Sequence, residues 1–236
     1  MTVTRTQWAA AAAVFLALLF AGYATVTAAW GDEPAARATP SRTSADAGFA
    51  RDMSVHHQQA VELSFVVRDR TRDEEVRRLA YDIANTQANQ RGMMLGWLDL
   101  WGLPKVESGT EPMAWMDMSG GGESGGHGGH SGGHDGQSGH GSGAAPEQRE
   151  GALMPGMATP AELAKLATLG GREAEVLFLQ LMIDHHKGGV HMAQGCVRQC
   201  TVDVERNLAQ GMVDAQQSEI DLMTDLLKKR GAAPRP

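Results

Sequence analysis

At one fixed offset the sequence lies along itself without a gap. Phe49 falls on Phe178, Met53 on Met182, His56 on His185 and His57 on His186; further on, Leu79 meets Leu208, Ala80 meets Ala209, Gln87 meets Gln216, Met94 meets Met223 and Leu98 meets Leu227. This repeat constrains the fold more than any other feature, because a unit used twice must bury its apolar side against its copy. In the first copy, residues 45–103, two helical patterns follow one another. The first ends near "RDRTRD", and the second starts at Asp73 and carries Val76, Leu79, Ile83, Met94, Trp97 and Leu98 on one face. The "GLP" at residues 102–104 ends it, since proline removes a donor and glycine weakens the helix. Each copy is therefore a helical hairpin, and two hairpins packed together predict an all-α four-helix bundle.

The segments outside the repeat follow from composition. Arg5 precedes an uncharged apolar run over residues 8–30 with tryptophan at both ends, long enough to cross a bilayer, which reads as a signal anchor or a signal peptide. "VTA" at residues 26–28 suits signal peptidase, whereas the length of the run favours a retained membrane anchor. Either way residues 31 onward are expected outside the cytoplasm. Residues 31–44, rich in Pro, Ala, Ser and Thr, form a flexible tether, and residues 45–236 form the bundle domain. Within it, repeat 1 covers residues 45–103, a Met/Gly/His-rich linker residues 104–158 and repeat 2 residues 159–236. Thr159 as N-cap, Pro160 at the first helical position and Glu162 predict a short helix to about residue 168. A net charge of -7 without a basic cluster excludes nucleic acid as a partner class. No macromolecular partner is named by the sequence, and a homo-oligomer and a metal-exchange partner both stay open.

The repeated doublets carry the chemistry. At about 100° per residue, Met53, His56, His57 and Ala60 share one stripe, as do Met182, His185, His186, Gly189 and Met192, and both stripes coincide with the apolar face. Imidazoles carried into a bundle interior need a hydrogen-bond network or a metal. Gln87, Gln90, Gln216 and Glu219 are the polar residues that a purely structural network would use. The metal reading has the better fit to residue type: imidazole with thioether suits Cu(I), or Cu(II) through nitrogen, and excludes Mg and Ca, with zinc as the alternative metal. His191 and Met192 give the second repeat further donors, where the first has Glu62 in the place of His191. In the linker, His127, His130, His134 and His140 stand in a glycine background, and Met154 and Met157 follow it; these are candidate secondary ligands, the loop histidines weak and exchangeable. Met94, Met212 and Met223 read as core filler. Cys196 and Cys200, the only cysteines, are expected as a disulfide outside the cytoplasm, with a thiolate copper site as the alternative.

The two "M-x-x-H-H" helices, "MPGMATPAEL" before the second hairpin and "QQSEIDLM" in the last helix closely resemble the DUF305 family, from residue 45 to the C-terminus. The resemblance implies a ferritin-like four-helix bundle and export. Because the family includes a cyanobacterial copper-binding protein, it also implies copper handling by Met53, His56, His57, Met182, His185, His186, His191 and Met192, with Met154 and Met157 as additions. The chain departs from the family pattern in its Gly/His insertion, in Glu62 and in its cysteine pair. A ferritin-like bundle raises di-iron oxidase chemistry, but that requires Glu-x-x-His motifs, and none occurs. No nucleophile–base pair or phosphate loop is present either, so a binding protein rather than an enzyme is expected.

Overall fold

Five helices and no strand make up the described part of the chain, a computed structural model that covers residues 39–119 and 148–236. The apolar run at residues 8–30 and the histidines at 127, 130, 134 and 140 lie outside the described residues. Among those that are described, no helix is long and apolar enough to cross a membrane.

Helix α1 (Ala45–Arg70) begins at Ser44, whose side chain accepts from the Ala47 amide. Helix α2 (Glu74–Leu100) follows a three-residue turn and is capped in the same way by Asp73. A 3-10 turn (Ala114–Ser119) leaves Trp115 buried against Phe49. Thr159, Pro160 and Glu162 form the expected capping box of the short helix α3 (Pro160–Thr168). Helices α4 (Gly171–Gln199) and α5 (Asp203–Lys229) are the second hairpin.

The hairpins meet through α1 and α4, and each of these is backed by its own partner, α2 or α5. Two apolar clusters show how they cross. The first half of α1 (Ala47, Phe49, Ala50, Met53) shares a cluster with the last part of α4 (Met192, Ala193, Cys196), while the second half of α1 packs with the beginning of α4. The two helices therefore run antiparallel, and the doublets fall at their crossing. The clusters differ in character: one is mainly aliphatic, and the other gathers the buried Met53, Met94, Met154, Met157, Met192 and Met212.

The repeat also explains how the hairpins are tied at their ends. Asp46, in the first turn of α1, accepts from the amides of Thr201 and Val202 at 2.8 Å each, in the turn between α4 and α5. Its counterpart Glu175, near the start of α4, grips the other turn, accepting from Thr71 Oγ1 and from Arg230 Nε at 2.7 Å. Each hairpin thus uses an acid near the start of its first long helix to hold the opposite turn, so the crossing is fixed from both ends.

Candidate metal centre

Four imidazoles stand in a row across the α1–α4 contact. The rings of His56 and His185 lie with centroids 3.7 Å apart. His57 stands 6.4 Å from His56 on one side, and His186 6.2 Å from His185 on the other. All four side chains are fully buried, as are Met53 and Met182 one turn before them. Those two methionines do not share a cluster: Met53 lies in the methionine-rich end and Met182 in the aliphatic end, so the row is flanked by one thioether on each side.

Hydrogen bonds set the ring tautomers. His57 Nε2 lies 2.9 Å from Gln90 Oε1, His186 Nε2 lies 2.6 Å from Glu219 Oε2, and His185 Nε2 lies 2.9 Å from the His56 carbonyl oxygen. An oxygen acceptor requires N–H at that position, and a neutral ring has only one N–H, so in the neutral form Nδ1 of each carries a bare lone pair. Those three Nδ1 atoms, and both ring nitrogens of His56, have no hydrogen-bond partner among the described residues. Neither do both ends of the Gln87 amide and Oε1 of its counterpart Gln216. Each orphaned buried polar atom costs about 1–3 kcal/mol. A network that served stability alone would do better with apolar residues here.

Charge follows the same logic. Burial first, and the neighbouring imidazoles second, push His56 well below the usual histidine range. Burial takes His185 down to about 3, with His186 adding to it. His57 falls to about 4, again by burial, against an opposing contribution from the Gln90 hydrogen bond. His56, His57 and His185 are thus neutral at pH 7, the form in which imidazole binds a metal.

The remaining sequence candidates are placed as follows. Met192, seven residues beyond His185 and about 340° round the helix, is fully buried on the same face, in the methionine-rich end. His191, six residues on and about 240° round, is half-buried and turned off that face, and burial together with Arg198 lowers its pKa. Met154 and Met157 are buried with Met53 and Met192. Their turn is pinned to both central helices. Gln59 exchanges two hydrogen bonds with the Ala158 backbone, at 2.8 and 2.7 Å, and Gly156 packs so tightly on α4 that a Cβ would stand 2.4 Å from the Asp184 carbonyl oxygen. About 100° round α4 from Gly188, which packs on Pro155 and Gly156, Gly189 makes room for the Gln216 side chain. Cys196 and Cys200 form a disulfide at the end of α4.

Residues 46–227 match the DUF305 family, described as a domain of unknown function. The chain belongs to the DUF305 family. It is similar to a candidate secreted DUF305 protein of Streptomyces coelicolor, at 59% identity over 83% of this chain and 99% of that one, with a TM-score of 0.67. A DUF305 fragment from Deinococcus radiodurans shares 29% identity over 78% and 96% of the two chains, with a TM-score of 0.56. CopM in its Cu(I)-bound form shares 18% identity over 78% and 96%, with a TM-score of 0.51, a likeness of fold. No curated protein matches the chain. Within this DUF305 fold three features have no signal in the residue pattern: the pin formed by Gln59, the gathering of methionines at one end, and the buried carboxyl pair of Asp46 with Glu205.

Proposed function

We propose that this DUF305 protein binds copper outside the cytoplasm, as Cu(I) in the first place, and buffers or passes it on without catalysing a reaction. The observation that carries this reading is the set of five buried ring nitrogens without a partner, in three rings of which the Nε2–H is already tied to oxygen and the Nδ1 lone pair is left over. Hydrogen bonds of that kind orient imidazole ligands and raise their basicity. His56, His57, His185 and His186 would offer imidazole nitrogen along the row, no more than two of them to any one ion, with thioether sulfur from Met53, Met182, Met192, Met154 and Met157 as the soft component. Bound copper would supply a soft Lewis acid for these donors. The protein residues supply burial, neutral rings and fixed tautomers.

The arrangement supports this metal preference. Among the described residues no three of these imidazoles are grouped closely enough to hold one ion. A structural zinc site takes four close N, S or O ligands in a tetrahedron, whereas thioether with few imidazoles selects Cu(I). CopM, with the same fold, has been captured with Cu(I), Cu(II) and silver, which supports a coinage-metal role for this chain. Similarity to a candidate secreted protein supports export, as does the apolar run at residues 8–30. A structural module is the second reading, favoured by the His57–Gln90 and His186–Glu219 bonds; it predicts indifference to metal. Titration of the chain from residue 31 with Cu(I), Cu(II) and Zn(II) against competing chelators separates the readings: tight Cu(I) binding is expected, and no binding, or binding of zinc alone, would reject the proposal.

A further inference from the structure

A second set of buried donors lies where α4 turns into α5, on residues separate from the imidazole row. Cys196 closes the last turn of α4, Cys200 is its C-cap, and Glu205 stands in the first turn of α5. One carboxylate oxygen of Glu205 and the two Sγ atoms fall within 4.8 Å of one another. Cys196 and Glu205 are wholly buried and Cys200 is 4% exposed. Neither oxygen of Glu205 has a hydrogen-bond donor among the described residues.

The group facing Glu205 is Asp46, whose own oxygens already accept from the Thr201 amide, the Thr201 hydroxyl and the Val202 amide. Glu205 therefore faces an acid whose oxygens are already engaged by other donors. Burial, and then the charge and hydrogen bond of Asp46, push Glu205 up to about 9. As a structural residue this carboxyl is a poor choice, since glutamine would donate to Asp46 without being held against its ionisation. A carboxyl beside two sulfurs has a use that glutamine lacks.

We propose that reduction of the Cys196–Cys200 disulfide opens a second, redox-gated metal site, in which the two sulfurs and the Glu205 carboxylate bind a thiophilic divalent cation of the zinc type. The site is independent of the copper reading. A dithiol reductant supplies two electrons and two protons; the S–S bond breaks, two thiols form, and the reductant leaves as its own disulfide. The cation then displaces both thiol protons and the Glu205 proton to solvent, and two metal–sulfur bonds and one metal–oxygen bond form. Tetrahedral zinc with such ligands sets its donor atoms about 3.6–3.8 Å apart, so the two sulfurs must part once their bond is broken, while the Glu205 carboxylate already lies within 4.8 Å of both. Three anionic donors next to the Asp46 carboxylate favour a divalent ion over Cu(I). In an oxidising compartment the disulfide keeps the site closed, so occupancy reports the redox state.

The test uses Co(II) as the spectroscopic probe and Zn(II) as its competitor. The purified protein is reduced with a phosphine, which ends as the phosphine oxide, and freed of it without oxygen; circular dichroism checks the helices. The reduced protein is expected to bind one more equivalent of Co(II) than the oxidised protein, with a thiolate-to-cobalt charge-transfer band that zinc abolishes. Glu205→Gln, which keeps both cysteines and the Asp46 contact, should weaken this binding about tenfold or more, and Cys196→Ser should remove the band. Equal stoichiometry in the two redox states would overturn the proposal. So would an unchanged affinity in Glu205→Gln, which would make the thiols an unassisted chelator, or loss of the helical fold on reduction, which would take away the α4–α5 turn.

Discussion

Replacing His57 with phenylalanine should change how the stability of the metal-free protein depends on pH. In the folded protein the His57 ring has its pKa lowered to about 4 by burial, while an unfolded chain gives it about 6.5. Between these values the unfolded chain takes up a proton and the folded chain does not, so stability is lost as pH falls through that window. From pH 7 to pH 5 the loss from this one ring works out at about 2 kcal/mol, most of the proton uptake by the unfolded chain with little by the folded one. Phenylalanine cannot titrate, so His57→Phe removes this loss. Whatever the substitution costs or gains in packing is the same at both pH values and cancels in the comparison, as do the contributions of His56, His185 and the oppositely shifted Glu205. In a protein of this size about 2 kcal/mol corresponds to roughly 4–8 °C in melting temperature. Wild type and His57→Phe are therefore melted without metal at pH 7 and pH 5. The wild type should lose that amount relative to the variant at the lower pH. A gap of the same size at both pH values would mean that His57 protonates in the folded protein as a solvated imidazole does, and the buried row would be refuted.

Other parts of the structure give further expectations. Gly156 has a positive φ of 80° and no room for a side chain against α4; Gly156→Ala should destabilise the protein by about 2 kcal/mol or more and weaken Cu(I) binding as the Met154–Met157 turn lifts, which melting and titration would show. Replacing Cys196 and Cys200 by serine opens a loop of sequence separation 4 and should cost about 2 kcal/mol in stability while the copper stoichiometry stays unchanged. Deleting residues 120–147 should leave a high-affinity copper site in place, because the row is built from α1 and α4 alone; loss of all binding would transfer the site to the loop histidines.

Much of the fold can be read from the residues because its signals are local. Thr159, Pro160 and Glu162 specify a helix start by their own hydrogen bonds, and Asp73 does so for α2. The fixed offset between the repeats identifies the hairpins and puts both doublets on apolar faces. It does not say how one hairpin crosses the other, because that depends on contacts between distant residues: Asp46 with the turn at Thr201, Glu175 with the turn at Thr71, and Gly156 against α4. For this reason the sequence suggests one donor set per repeat, whereas the structure brings His56 onto His185 in a single row. His191 and Met192 show the limit of spacing arguments, since adjacent donors on one helix point about 100° apart, and only Met192 stays on the buried face. Glu205 gave no signal, because an acid in the first turn of a helix is ordinary; its significance comes from Asp46 and the disulfide, which only the fold brings together.

The central claim is that the imidazole row binds copper, and the Cu(I) affinity of His185→Ala/His186→Ala against wild type, measured by competition alongside the helical circular dichroism signal, tests it most directly. The row predicts a loss of affinity of about tenfold or more with the helices retained, and a loss in His56→Ala/His57→Ala as well, since the His56 ring adjoins that of His185. Unchanged Cu(I) affinity in both double variants, with stability alone affected, would contradict the claim and return the doublets to a structural role.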